Sequence, residues 1–322
     1  MKHLVQTCTN DNHPTRPSEV PLTQQQRPIN VISYEGSPYK TDFWEGQGRE
    51  FEDLTERQAL GRLLPPRGKT LIEIGSGFGR LANLYSNYEQ IILTDYSLSL
   101  LTDAKKSFGS NPRYRFVAAN VYNLPFANNL ADTMVMIRVA HHLESIPSAL
   151  AEIQRVMQGD GTFIMEFANK RNIKAIARYW TRRQTWSPFA EEPYEFVRLN
   201  FDFHPRWMQQ ALSAAGFNTE KMLALSNFRI PAIKRRISAR TLARIDNALA
   251  GPGAALSLSP SILTKNKSTK AKHPASGLFL CPKCKQGDLE SMPAAMVCNH
   301  CHEHWTITNG IIDFRYPRPD AA

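Results

Sequence analysis

The stretch Leu71-Ile72-Glu73-Ile74-Gly75-Ser76-Gly77-Phe78-Gly79-Arg80 decides the fold. A short apolar strand, Thr70 to Ile74, carries an acid near its end, passes through a GxGxG turn and enters a segment read as a helix from about Arg80 to Asn87. Glycine suits the turn because the backbone must reverse sharply and admit a ligand with no Cβ in the way. A second strand, Gln90 to Thr94, ends at Asp95, placed to accept hydrogen bonds from two ribose hydroxyls. The dinucleotide fingerprint needs GxGxxG, and its third glycine would fall on Arg80, so the spacing argues against that site.

Outward from this turn, strands and helices alternate. Phe51 to Leu64 has helical periodicity and is stopped by Pro65-Pro66; a helix around Ser99 to Phe108 leads to a strand at Tyr114 to Ala118. Thr133 to Val139 is the fourth strand, Ala149 to Met157 a helix, and Thr162 to Phe167 the fifth strand. After a helix from Trp207 to Ala215, Lys221 to Ser226 reads as the sixth strand and Ala255 to Leu263 as the seventh. The rhythm predicts an α/β fold, a Rossmann-like seven-stranded and mostly parallel sheet with helices on both faces. Residues 1–30, rich in Thr, Gln, Asn and Pro, are expected to form a disordered leader. The main domain is set at 31–265 with a basic helical insertion at 229–254, then a flexible basic linker at 266–276 and a small C-terminal module at 277–318.

The net charge of +10 is unevenly spread: between Arg229 and Lys272 ten basic residues stand against one acid, Asp246. A second basic cluster (Lys170, Arg171, Lys174, Arg178, Arg182, Arg183) is interleaved with Tyr179, Trp180, Trp186 and Phe189. Such unevenness points to an anionic partner or substrate. Both clusters leave the carboxyl ends of strands, where open α/β sheets bind ligands, so both are placed to roof a pocket for a molecule with an anionic and an apolar part. Solvated helix faces would give the same pattern. No apolar run reaches the roughly 20 residues that cross a bilayer, and no signal peptide is read, so a cytoplasmic location is expected, with peripheral membrane contact left open.

Further motifs give the chain a resemblance. Asn120-Val121-Tyr122-Asn123-Leu124-Pro125-Phe126, Arg138-Val139-Ala140-His141-His142-Leu143 and Glu152-Ile153-Gln154-Arg155-Val156-Met157 stand at the expected places after or before strands. With the glycine turn, they make the segment from about Glu50 to Gly216 resemble the class I methyltransferase superfamily, in its type 11 and ubiquinone/menaquinone-biosynthesis-like branch. The resemblance implies S-adenosylmethionine as methyl donor. It implies that Gly75, Gly77 and Gly79, after Glu73, pass under its methionine and ribose, that Asp95 holds the ribose with Tyr96 against the adenine, and that Asn120 and Val121 meet the adenine edge. The family usually has Asp where Asn120 stands. His142, or its neighbour His141, is the candidate general base near the transferred methyl. The fourth strand lacks the Asn/Asp-Pro-Pro-Tyr/Phe motif of amino methyltransferases and the Pro-Cys of cytosine C5 enzymes. O- or C-methylation of a small lipid-like, quinone-like or natural-product acceptor is therefore the leading expectation, and an RNA base methyltransferase the alternative.

Four of the five cysteines form two CxxC knuckles, Cys281-Pro282-Lys283-Cys284 and Cys298-Asn299-His300-Cys301, while Cys8 stands alone in the leader. Four thiolates at this spacing can close tetrahedrally on a structural Zn²⁺, with His300, His302 and His304 as bystanders. The module, Leu278 to Arg315, resembles Trm112-like zinc ribbons, which serve methyltransferases as activators or come fused to them. Trp305-Thr306 stands where those ribbons usually have Tyr-Pro.

Overall fold

A computed structural model describes residues 29–256 and 258–316. The predicted leader up to residue 28, with Cys8, and residues 317 and 318 lie outside the described residues.

Helix α1 (Glu50–Leu63) buries Phe51, Thr55, Ala59, Leu60 and Leu63 on one face and ends ahead of Pro65, where a helical residue before proline is disfavoured. Strands β1 (Gly68–Ile74), β2 (Tyr88–Asp95), β3 (Tyr114–Ala118), β4 (Ala131–Met136) and β5 (Met157–Ala168) pair in parallel in the order β3-β2-β1-β4-β5. Helix α2 (Leu98–Phe108) starts at Ser97, whose hydroxyl accepts the Leu100 N–H, and α3 (Ile146–Val156) starts at Ser145, whose hydroxyl accepts that of Ser148. These caps satisfy N–H groups that the first helical turn leaves unpaired. Helix α4 (Ile173–Trp180), a small hairpin of β6 (Tyr194–Val197) and β7 (Asn200–Asp202), and α5 (Pro205–Ala214) follow. Strand β8 (Phe217–Leu225), α6 (Pro231–Arg236), α7 (Ala239–Leu256) and β9 (Ser261–Ser268) complete the seven-stranded core, with β9 antiparallel to both β5 and β8.

Three expectations change. The segment after Gly79 forms a single 3₁₀ turn, Ala82–Tyr85, not a helix to Asn87. The Arg57 guanidinium takes the Arg80 carbonyl at 2.5 Å, and the Leu84 N–H bonds Leu81 instead. The last core strand runs from Ser261 to Ser268, so residues read as linker from 266 begin inside it. Thr264 and Asn266 point inward at 0% exposure, their side chains donating to the Met165 and Phe163 carbonyls. Polar residues thus hide a strand whose period is two.

The third change is the largest. The C-terminal module is not a satellite. Its strands β10 (Leu289–Ser291), β11 (Ala295–Cys298), β12 (His304–Thr308) and β13 (Ile311–Asp313) extend the core sheet to eleven strands, because β13 pairs in parallel with β3. Phe126, Phe279 and Phe314 stack across the junction with centroids 6.0 and 5.4 Å apart. All three are buried, at roughly 1.5–3 kcal/mol per side chain removed from water. Asn123 donates to the Pro282 carbonyl, and Lys285 pairs with Glu152 of α3. Leaving β3 as an edge would expose its unpaired backbone groups, and the module covers them.

Candidate active site

The carboxyl ends of β1, β2 and β4 open into one cleft, the place where open α/β sheets bind ligands. Its floor is the glycine turn. Gly75 has φ +68°, and an added Cβ would lie 2.1 Å from Val139 Cγ2, so only glycine fits. Gly77, at φ +53°, has nothing nearer its Cβ direction than Leu100 Cδ1 at 4.0 Å, leaving room above it. Gly79 faces Phe108 and Ala104 of α2 and serves packing. At the end of β2 both Asp95 oxygens accept backbone N–H groups, Gly77 at 2.7 Å and Ser97 at 2.8 Å. Burial raises the Asp95 pKa against those bonds. Glu73 is 3% exposed, and burial pushes it up to about 8 despite the neighbouring Tyr85 hydroxyl, so it holds its proton at neutral pH. Ser76 Oγ and Thr94 Oγ1, both on the cleft wall, are buried with no hydrogen-bond partner. Buried polar atoms left so are costly, and a polar ligand would satisfy them.

Residues 31–44 form the roof, with Val31, Ile32, Tyr34, Tyr39 and Trp44 on the cleft. Asn30 donates twice to Glu144, and Glu35 accepts the Leu98 and Ser99 N–H groups at the start of α2. Trp44 lies over two buried guanidiniums, Arg80 at 3.9 Å and Arg138 at 5.0 Å. Both arginines bind Glu56; burial opposes its charge, but Arg138 and Arg80 hold its carboxyl down to about 2. Arg138, just past β4, has φ +59°, a strained conformation for a side chain of that size.

The two histidines separate here. His142 lines the cleft, and His141 is not among the lining residues. Burial, then the His142, Arg138 and Arg229 charges, push His141 down to about 3. Burial also lowers His142, against a bond to the Leu199 carbonyl. That carbonyl can only accept, at 3.3 Å from Nδ1, so the ring proton sits on Nδ1 and Nε2 accepts from the Tyr34 hydroxyl at 3.0 Å.

At the opposite end, Tyr96 meets the ribbon. Its hydroxyl is 2.8 Å from that of Tyr316, and Arg315 donates to the Tyr96 carbonyl and to Glu35, both at 3.0 Å. Arg315 therefore joins ribbon, roof and floor. Val121 lines the cleft, but Asn120 does not; its carboxamide oxygen accepts the Tyr122 N–H and shapes the loop. Trp180, Trp186 and Phe189 are likewise absent from the lining, so the aromatic basic segment does not roof the pocket. The roof from residues 31–44 replaces it. A run of aromatics (Tyr34, Tyr39, Phe43, Trp44) directly after the polar leader was the available sign.

In the ribbon, the Sγ atoms of Cys281, Cys284, Cys298 and Cys301 all lie within 4.8 Å of one another, with two pairs at 3.7 and 3.6 Å. A tetrahedral zinc with 2.3 Å bonds requires about 3.8 Å between sulfurs, so the set fits. Backbone N–H groups of His300 and Cys301 point at Cys298 Sγ, and a Cβ on Gly287 would lie 2.4 Å from it. His300, His302 and His304 are exposed.

Residues 72–165 match the family model described as a methyltransferase domain. That segment is similar to methyltransferase domains. The chain is 27% identical over 176 residues to a 2-phytyl-1,4-naphtoquinone methyltransferase of Nostoc, covering 50% of this chain and 77% of that protein. It is 27% identical over 155 residues to a malonyl-[acyl-carrier protein] O-methyltransferase of Legionella pneumophila, covering 47% and 50%. The chain spans about half the length of the first curated relatives it matches. Among solved structures, a chain in the complex of the Haloferax volcanii Trm112 methyltransferase activator with a methyltransferase shares the fold at TM-score 0.50 and 16% identity, covering 72% of this chain and 98% of that one. Among the described residues no helix is long and apolar enough to cross a membrane.

Proposed function

We propose that the protein transfers a methyl group from S-adenosylmethionine to oxygen or carbon of a small lipid-like or quinone-like acceptor. The carrying observation is the cleft itself: the glycine floor with Asp95, and the half-buried His142–Tyr34 pair under an apolar roof. The substrates for which the similar Nostoc and Legionella enzymes are named, a 2-phytyl-1,4-naphtoquinone and malonyl-[acyl-carrier protein], fit a roof of Val31, Ile32, Tyr39 and Trp44.

Bound there, S-adenosylmethionine supplies a methyl on a sulfonium, already activated for in-line displacement. Asp95 accepts from its ribose, Gly77 leaves space beneath it, and Ser76 and Thr94 satisfy its polar edge. Excluding water by the roof aligns the acceptor, and alignment supplies much of the rate. As the acceptor takes the methyl, its proton would pass to the Tyr34 oxygen while the Tyr34 hydroxyl proton goes to His142 Nε2. Because burial keeps His142 neutral, its lone pair is available at physiological pH. His141, further inside, tunes that pair by its proximity. In the ribbon Cys281, Cys284, Cys298 and Cys301 would hold Zn²⁺ as a structural ion, and the module would play in cis the part of a Trm112-like partner, closing the β3 edge.

Incubation with labelled S-adenosylmethionine and either an organic metabolite extract or total RNA tests this reading. Label in the extract, lost in His142→Gln and reduced in Tyr34→Phe, is the expected result. Label in RNA alone would replace the acceptor class by an RNA base.

A further inference from the structure

The aromatic and basic segment that does not face the cleft is left open to solvent. Ile173 and Trp180 of α4 are 59% and 72% exposed, and Phe196 and Val197 at the tip of the β6–β7 hairpin are 51% and 60% exposed. Phe189, 43% exposed, lies against the end of α4, with its ring 6.5 Å from that of Trp180. A cluster of large apolar side chains in water is a standing cost that a monomeric protein keeps for contact with something. The same segments carry the exposed cations Lys174, Arg178, Arg182, Arg183 and Arg198 against the exposed acids Glu192 and Glu195.

We infer that this surface seats the protein on an anionic lipid bilayer. Tryptophan and phenylalanine at the level of the headgroups, flanked by arginines that reach the phosphates, are the chemistry of interfacial binding. Aliphatic Ile173 and Val197 favour lipid over single-stranded nucleic acid, because stacking with bases rewards aromatic rings and leaves aliphatic side chains wet. The hairpin also touches the reaction site: the Leu199 carbonyl, two residues after Val197, holds His142 Nδ1. A bilayer-dissolved acceptor would therefore meet the protein at the hairpin that holds His142. The inference deepens the small-molecule reading and rests on it, since only an acceptor that partitions into lipid makes the surface useful.

Flotation with vesicles of phosphatidylcholine alone, or with phosphatidylglycerol added, tests the surface without turnover. The expected result is binding to the anionic vesicles only, weakened about tenfold or more both in Arg182→Glu/Arg183→Glu and in Trp180→Ala/Phe196→Ala, with S-adenosylhomocysteine affinity unchanged in both as evidence of folding. Wild-type binding by either double variant, absence of vesicle binding, or capture by total RNA in place of vesicles would overturn the inference. Turnover of a soluble quinone-like acceptor without vesicle affinity would overturn the surface and keep the transferase. Vesicle affinity with no methyl transfer would do the reverse.

Discussion

The floor and the roof of the cleft are built by different physics. The floor is consecutive chain: β1, a glycine turn and β2, fixed by backbone bonds such as Gly77 and Ser97 N–H to Asp95. The roof is assembled from remote pieces held by side chains, residues 30–44 from one end of the chain and Arg315–Tyr316 from the other. A floor held by covalent sequence and steric fit has no alternative arrangement, whereas a roof held by exposed carboxylates and one guanidinium can open at small cost. Substitutions in the floor should therefore abolish binding and fold together, and substitutions in the roof should weaken binding alone.

Gly75→Ala should show the largest effect. The new methyl must displace Val139 Cγ2, 2.1 Å from its ideal position, and the residue must stay at φ +68°. Strain and overpacking of this kind cost about 2–5 kcal/mol together. Calorimetric titration with S-adenosylhomocysteine should find no binding, and the melting temperature should fall; unchanged affinity would break the contrast. Cys298→Ser, or chelation, should come next, by lowering the melting temperature about 5–10 °C and uncovering Phe126 and Phe279 to a hydrophobic dye. A ribbon that melted separately, leaving the core transition in place, would show that β13 adds nothing to β3.

Much of this contrast was legible in the chain. Glycines with an acid before and an acid after them announce the floor, since the backbone conformation demands particular residue types locally. The four cysteines announce the cluster of thiols for the same reason. What stayed hidden depends on tertiary partners. Asn266 in β9 looks like linker until the Phe163 carbonyl is seen to take its amide. The joining of β13 to β3 leaves no local mark, because Ile311-Ile312-Asp313 would read the same in a free ribbon. The turn after Gly79 has helical composition, and only Arg57 reaching the Arg80 carbonyl ends it early. Asn120 and Gly79 stand where the motifs expect them, yet the Asn120 carboxamide bonds its own loop and Gly79 packs against α2.

Glu73→Gln sharpens the comparison from within the floor. The carboxyl moves from the ordinary 4.5 to about 8 on folding because burial penalises its charge. The penalty is absent below pH 4.5, grows between there and pH 8, and is complete above it. The glutamine variant should therefore gain stability relative to wild type as pH rises from 5 to 9, by on the order of a few kcal/mol. Parallel urea titrations at the two pH values measure it, and a constant difference would mean that Glu73 ionises freely in the folded protein.

The smallest effect should come from Arg315→Ala. This guanidinium, with a side chain 11% exposed, donates to Asp313 within the ribbon, to Glu35 in the roof and to the Tyr96 carbonyl. Its loss leaves every floor bond in place and removes charge-assisted bonds worth about 1–2 kcal/mol in sum, since Glu35 is partly hydrated and keeps the Leu98 and Ser99 N–H groups. S-adenosylhomocysteine should bind about 5- to 30-fold more weakly, through faster dissociation, while the melting temperature of the free protein stays within about 2 °C of wild type. Arg315→Lys, which keeps one donor and the charge, should recover part of the affinity. If Arg315→Ala instead melts as early as Cys298→Ser, the ribbon's tail belongs to the frame and not to the roof.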